Sequence, residues 1–490
     1  MSAFPKTIHF MGTNTPRAQE LSHAGLEVEG QIPPDIDGAF FRAVPDNPYP
    51  PMFDDDIALN ADGMIASFDI SSSGVNFAIR FVETERYLLE KAAGKALFGE
   101  YRNPYTDDPS VKGKDRTVSN TTPLWHAGRL FMTKEDGLAY EINPHSLETV
   151  GRYNFGDKLR SETFTAHPRI DPATGELFFF GYEAGGLCSL DVAYCVADKD
   201  GNLVSEQWFK QPYCSTIHDF VITEKYAIWP IFPTTADLDR IKDGGAHWAH
   251  HQHMPSWVGI MPRYGKVEDM KWIKGPPGVS CFHEVNAFDD GNKVHIDLCL
   301  TATNAFPFMR EAGGIDIAQQ DVQGALTRWT IDMAQDEPEL EQTMIGPPGD
   351  LCRVTDADQG RAYTRAWYLS MNPEGGPPLP GGPVGANFNA LLRIEPGTDN
   401  VSMMGLPPHS GISEPAHIPS KTSGHGGWLL SVVDIAQSAD PSDYLSELWV
   451  IEADNIAKGP VAKVKTGMPL RSQVHGNFVS RNRLNASKVK

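Results

Sequence analysis

The chain reads as short apolar runs punctuated by turn chemistry. LAYEI (138–142) and LETVGRYNF (147–155) flank NPHS, and HPRID and ELFFFGYE flank PATG. SLDVAYCVA and LVSEQWF flank DKDGN, FHEVNAFD and KVHIDLCLT flank DGN, and ALLRIEP and VSMMGLP flank GTDN. Near the end WLLSVVDI, ELWVIEAD and PVAKVKTG follow one another. Asp-Gly, Asn-Pro and Pro-Gly turns between β-rich runs predict hairpins, because these residues supply the backbone a tight reversal needs. Helical periodicity is sparse, and its best case is VETERYLLEKAAGKALFG (82–99). There is no strict repeat, but hairpin pairs recur every ~50–70 residues, which suits four-stranded propeller blades. Seven such blades use nearly the whole chain, so the expectation is one all-β domain over residues 1–490, a seven-bladed β-propeller. PEGGPPLPGGPVGAN (373–387) is rich in Pro and Gly, but β pattern resumes straight after it and it reads as a surface loop.

Composition narrows the class. Of 490 residues 40% are hydrophobic and 10% aromatic, enough for a substantial core. The net charge is −21 with no basic run, which argues against nucleic acid and against an anionic membrane surface. The N-terminal stretch MSAFPKTIHFMGTNTPRAQE has no apolar signal region, and no apolar run approaches the ~18 residues of a membrane span. The six cysteines form no CxxC pair and read as reduced, mostly buried thiols of a cytoplasmic protein.

The chemistry sits in the histidines. Of the 16, most lie in turns or polar stretches. AHWAHHQHM, with His247, His250, His251 and His253, looks like a metal site but follows the polar stretch DLDRIKDGG, and reads as a solvated loop. Four others share a different context: His167 in FTAHPRID, His218 in STIHDFVI, His283 in CFHEVNAF and His475 in SQVHGNFV. Each is a lone histidine at the start of a strand-like run, where a hydrogen-bonded core histidine is the ordinary reading. The first three are 51 and 65 residues apart, about one blade each. The innermost strands of a propeller all run beside its axis, so one histidine per blade can converge on one point. Four neutral imidazoles without a thiolate suit Fe(II), Cu(II) or Zn(II).

These contexts closely resemble the carotenoid cleavage oxygenase family. QIPPDIDGAFFRAVPDNP, NADGMIASF, SNTTPLWHAGRLFMTKEDG, SEPAHIPS and GPVAKVKTGMPLRSQVHGNF match its segments in order over nearly the whole chain. The resemblance implies a seven-bladed propeller with an axial non-haem iron site and a loop/helix cap over one face. It implies Fe(II) held by His167, His218, His283 and His475, with open positions for O2. It further implies carboxylates behind the ligands: Glu135 in TKEDG, Glu414 in SEPAH, and Asp350 in GDLCRV where the family has glutamate. Thr121 in SNTTP matches a small β-branched residue set against an open iron position, and a homodimer is implied.

Family members split a carbon–carbon double bond into two carbonyl products. The polar segments EYRNPYTDDPSVKG and TTADLDRIKDGGAHW near a possible tunnel mouth favour a soluble substrate. Lys134 directly precedes Glu135; adjacent strand side chains face opposite sides, so Lys134 can face the cavity if Glu135 backs the ligands. Lys134 with Tyr101 in GEYRNPY resembles the lignostilbene dioxygenase branch, where such a pair binds the 4-hydroxyl of a stilbene. A cation beside a phenol lowers its pKa, and the phenolate pushes electrons toward the alkene. A surface lysine and a packing aromatic are the ordinary readings of the same two residues. Leu59 stands where some of the branch place phenylalanine, and Phe306 and Phe308 line the cavity or simply pack. The sequence thus points to cleavage of 4-hydroxystilbenes to aromatic aldehydes, with apocarotenoid cleavage and a non-catalytic metal-binding propeller as competitors.

Overall fold

The hairpins form where the turn residues place them. In DKDGN the Asp198 carboxylate accepts from the backbone N–H groups of Asp200 (3.0 Å) and Asn202 (2.8 Å), and Gly201 takes φ +90°. That reversal pairs Asp191–Ala197 with Leu203–Lys210. Only glycine enters that backbone region without a steric penalty. The computed structural model describes residues 3–489 except 305, 307–308, 315–317, 319–321, 384 and 423, so Phe308 lies outside the described residues.

The chain divides into two compact units. The first comprises Met1–Tyr153, Trp367–Arg393 and Ser402–Lys490. One of its sheets runs, in order, through Leu21–His23, Gly74–Phe81, Met64–Ser71, Gly38–Ala43 and Gly476–Ser480. A second has Glu27–Gly30, Pro460–Lys465, Tyr444–Glu452, Trp428–Ala436 and Ser410–Ile412, with Ala416–Ile418 also on Trp428–Ala436. A third has Thr122–His126, Arg129–Thr133, Tyr140–Ile142 and Thr149–Arg152. Phe40, Phe68, Phe77, Leu430 and Leu448 pack between the first two sheets. The expected helix is shorter than its apolar pattern and spans Glu85–Ala93. Thr84 caps it by accepting from Tyr87 N–H, and Gly94 ends it at φ +66°. The Pro/Gly-rich loop is tied down: Pro380 accepts from Thr13 N–H, Asn14 donates to Gly382, and Leu379 is buried.

The second unit comprises Asn154–Ala366 and Ile394–Val401. Three four-stranded antiparallel sheets begin at Arg169–Ile170, Val221–Ile222 and Ser280–Asp290 and end at Leu203–Lys210, Lys271–Pro277 and Leu340–Gly346. Val258, Ile260, Ile296 and Trp329 fill the core between the last two of them. A smaller sheet joins Thr234–Ala236, Trp248–His250 and Arg310–Glu311. It corrects the solvated-loop reading of AHWAHHQHM. His247 and His250 are buried, and His250 is bonded through Nδ1 to Thr234 Oγ1 and through Nε2 to the Gly278 carbonyl, both at 3.1 Å. Burial pulls its pKa down to about 4, so it is a neutral core imidazole. The polar residues around it misled the periodicity: Leu238–Lys242 is a short helix, and strand pairing resumes straight after it.

Candidate metal centre

In the second unit three of the four singled-out histidines meet. His167 precedes the strand Arg169–Ile170, His218 precedes Val221–Ile222, and His283 lies near the start of Ser280–Asp290, at an irregularity in its ladder. His167 Nε2 is 3.0 Å from His218 Nε2, which is 3.2 Å from His283 Nε2. All three ligand atoms lie within 4.8 Å of one another. His218 Nε2 offers either one N–H or one lone pair, so it cannot hydrogen-bond both neighbours at once. A cation satisfies all three nitrogens at once, and an all-imidazole donor set fits a first-row divalent metal.

Asp350 opens the strand Asp350–Arg353, and its Oδ1 accepts from His283 Nδ1 at 2.7 Å. The shorter side chain therefore reaches His283. Burial alone would lower the His283 pKa, but the adjacent Asp350 charge outweighs it and pushes the imidazole up to about 9. The carboxylate fixes the tautomer that presents Nε2 inward. Phe282, which the sequence reading passed over, stacks on His218 (4.0 Å, 28°), and Phe306 packs on Phe282 at 4.2 Å.

The other named residues belong to the first unit. His475 directly precedes the strand Gly476–Ser480, and its Nδ1 lies 3.1 Å from Glu414 Oε1. Glu414 Oε2 accepts from Gly476 N–H at 3.1 Å. Arg42, fully buried, donates to the Glu414 carbonyl, the Gln473 side chain and the Val474 carbonyl, and so fixes both chain segments. Thr121 adjoins the histidine: its carbonyl accepts from His475 N–H at 3.3 Å. Neighbouring Asn120 donates to the carbonyls of Leu59 (3.1 Å) and Ala61 (2.8 Å), which brings half-buried Leu59 into the same neighbourhood.

The loop that carries Leu59 is itself held by a buried carboxylate. Both Asp56 oxygens accept from Asn60 Nδ2 at 2.9 Å, and burial pushes the Asp56 pKa up to about 6. The shift is upward, so this group's stabilising share is full below the unfolded carboxylate value and is lost as pH rises through about 6. The parent protein's melting temperature should therefore lose this share between pH ~4 and ~6.5, and Asp56→Asn should flatten that part of the profile. Parallel profiles in thermal melts would remove Asp56 from the pH dependence.

Lys134 and Glu135 lie just beyond the strand Arg129–Thr133, both buried. The alternation argument for them does not hold: Lys134 Nζ is 3.9 Å from Glu135 Oε2, so the two side chains approach each other. The pairing that the resemblance implies, a lysine beside Tyr101, is present, with Nζ 5.5 Å from the Tyr101 ring centroid. Burial opposes the Lys134 charge, but Tyr101, Glu135 and Asp136 outweigh it and hold the ammonium above the ordinary lysine range. Burial also raises the Tyr101 hydroxyl, against the pull of Lys134. At neutral pH the pair is a cation and a neutral phenol, two hydrogen-bond donors. Lys134 is thus not the exposed strand-end lysine of the ordinary reading.

Residues 14–480 match the retinal pigment epithelial membrane protein family, that of the carotenoid cleavage oxygenases, and the chain belongs to it. It is similar to lignostilbene-alpha,beta-dioxygenase isozyme III of Sphingomonas paucimobilis, 36% identical over 99% of each chain. Isoeugenol monooxygenase of Pseudomonas nitroreducens is also 36% identical, over 96% of this chain and 98% of the relative. The crystal structure of Pseudomonas brassicacearum lignostilbene dioxygenase superposes with a TM-score of 0.93 at 34% identity, covering 98% of this chain and 100% of that one. The expected fold class is met: the chain is all-β and has the seven-bladed propeller fold of this family. It is an oxygenase, which sets aside the non-catalytic reading. Among the described residues no helix is long and apolar enough to cross a membrane.

Proposed function

We propose that this enzyme uses Fe(II) and O2 to cleave the central double bond of 4-hydroxystilbenes, of lignostilbene or resveratrol type, into two aromatic aldehydes. The observation that carries the substrate class is the buried Lys134 ammonium against Tyr101. A charge taken out of water is costly unless it is compensated, and a phenolate supplies a second anionic partner for this cation beside Glu135. Lys134 and Tyr101 donate to the phenolic oxygen and hold it deprotonated, and the charge it delocalises makes the conjugated alkene electron-rich. Thr121 and Leu59 confine the alkene, and Phe306 braces Phe282 against the second ring. The ion is held by His167, His218, His283 and His475, with Asp350, Glu414 and Glu135 orienting the imidazoles. Bound there, Fe(II) supplies the electrons that let O2 react with a closed-shell alkene. Both oxygen atoms end in the two carbonyl products, so no external reductant is required. The single-domain organisation over residues 1–490, the homodimer and the cytoplasmic setting belong to the same proposal.

A second reading is favoured by the equal identity to isoeugenol monooxygenase: a 4-hydroxyphenyl alkene with a short alkyl end. The two share the phenol and differ in the second ring. Turnover of a hydroxystilbene beside isoeugenol, with the aldehydes identified, tests the choice; a kcat/KM that favours isoeugenol would replace the stilbene with the shorter alkene.

The carboxylates give a separate test. Glu414→Gln and Asp350→Asn lose the charge that orients His475 and His283 while keeping the side chain's shape. Each is expected to weaken Fe(II) binding by ~10–100-fold in a chelator competition. Parent-like affinity in either variant would remove that carboxylate from the ligand shell.

A further inference from the structure

Three of the four histidines stand outside any strand ladder, and two of them, His167 and His218, precede ladders only two residues long. Arg169–Ile170 pairs only with Leu177 and Phe178, and Val221–Ile222 only with Ala227 and Ile228; His167 and His218 precede these ladders. His283 sits at a bulge in an eleven-residue strand that is paired along most of its length, the ladder resuming at Glu284. Backbone outside a ladder lacks the inter-strand bonds that fix it. A metal centre nonetheless needs its donors held to within about half an ångström.

One ion pair supplies what the ladders do not. Arg169 Nη2 reaches both Asp219 oxygens at 2.6 Å, and its Nε donates to the Phe220 carbonyl at 2.7 Å. The same Nη2 lies 3.4 Å from the Glu284 carbonyl. Asp219 accepts in turn from Phe220 N–H at 2.8 Å and from Glu284 N–H at 3.1 Å. The side chains are 12% and 2% exposed, so water screens the pair little. Arg169 is two residues from His167, Asp219 is next to His218, and Glu284 is next to His283. Three ligand-bearing segments are thereby tied together at their ligand ends.

We propose that Arg169 and Asp219 are positioning residues of the metal centre. Their ion pair fastens the segments of His167 and His218 to the longer-paired strand of His283 at Glu284, and sets the affinity and geometry with which the ion is held. This rests on the metal reading above. A pair that served only the fold would change thermal stability and leave the ion's surroundings alone.

Co(II) titrated into metal-free protein separates these roles, through its dissociation constant and its visible absorption bands. Arg169→Ala and Asp219→Ala are expected to weaken Co(II) binding by ~10–100-fold and to shift the bands. Arg169→Lys keeps the charge without the planar fork, so it should recover part of the affinity but not the parent bands. Removing one partner strands a buried charge, so the double variant Arg169→Met/Asp219→Leu is the form best suited to fold. It should show the same weak binding and shifted bands. A folded double variant that binds Co(II) within ~2-fold of the parent, with unchanged bands, overturns the positioning role, since that is far less than a lost orienting contact costs. If the parent itself binds no Co(II), the metal reading fails first and takes this inference with it.

Discussion

Replacing His283 with alanine is expected to abolish iron retention and nearly all turnover while leaving a folded protein. His283 is held with Nδ1 on Asp350 and Nε2 facing His218. Its loss removes a donor and frees Asp350 from its partner. The effect should exceed the ~10–100-fold that follows from disturbing a contact behind a ligand. Alanine at His167, His218 or His475 should act alike. His253, exposed in the histidine-rich segment, is the control and should change neither iron content nor rate. His250→Ala is a different case: it should cost about 1–3 kcal/mol of stability by stranding buried polar groups, with iron retained in the folded protein. Metal analysis of the purified variants decides; full iron in His283→Ala would remove that residue from the shell.

Lys134→Met should keep iron and lose rate. The side chain is buried beside Tyr101, and methionine fills similar space without the charge. Turnover of 4-hydroxystilbenes should fall at least ~10-fold, or about 1.4 kcal/mol of transition-state stabilisation. The loss should appear in kcat as well as KM, because the charge on the phenolic oxygen matters most as the alkene is oxidised. Tyr101→Phe removes one donor and leaves the cation, so its loss should be smaller. Steady-state kinetics of the two variants are the check. Parent-like kcat in Lys134→Met would leave the buried lysine as a counter-ion of Glu135 and no more.

The sequence carried the strand plan because each turn has its own local chemistry, as Asp198 and Gly201 show. It also singled out the histidines of which three meet, since a lone polar residue heading an apolar run stands out. Long-range contacts were less legible. Nothing local says that Phe282 stacks on His218, or that Arg42 ties residue 414 to residues 473 and 474. The reach of Asp350 to His283 depends on how close two distant strands come, and side-chain length alone left it open. AHWAHHQHM misled for the opposite reason. Its polar letters suggest solvent, whereas His250 is satisfied internally by Thr234 and Gly278. The nearness of Lys134 to Tyr101 was implied by the family resemblance, whereas the strand-alternation argument that turned Lys134 toward the cavity fails, because the strand ends at Thr133.

Phenolate-assisted cleavage is tested most directly by one substrate pair. Protein reconstituted anaerobically with Fe(II) is given O2 with a 4-hydroxystilbene or with its 4-methoxy ether, and aldehydes are quantified by mass spectrometry. The expected result is two aldehydes in equal amounts from the phenol, one O2 consumed per alkene, and a rate for the ether lower by at least ~10-fold, the share assigned to the Lys134 contact. Equal cleavage of the ether, or no aldehyde from iron-loaded protein, would contradict it.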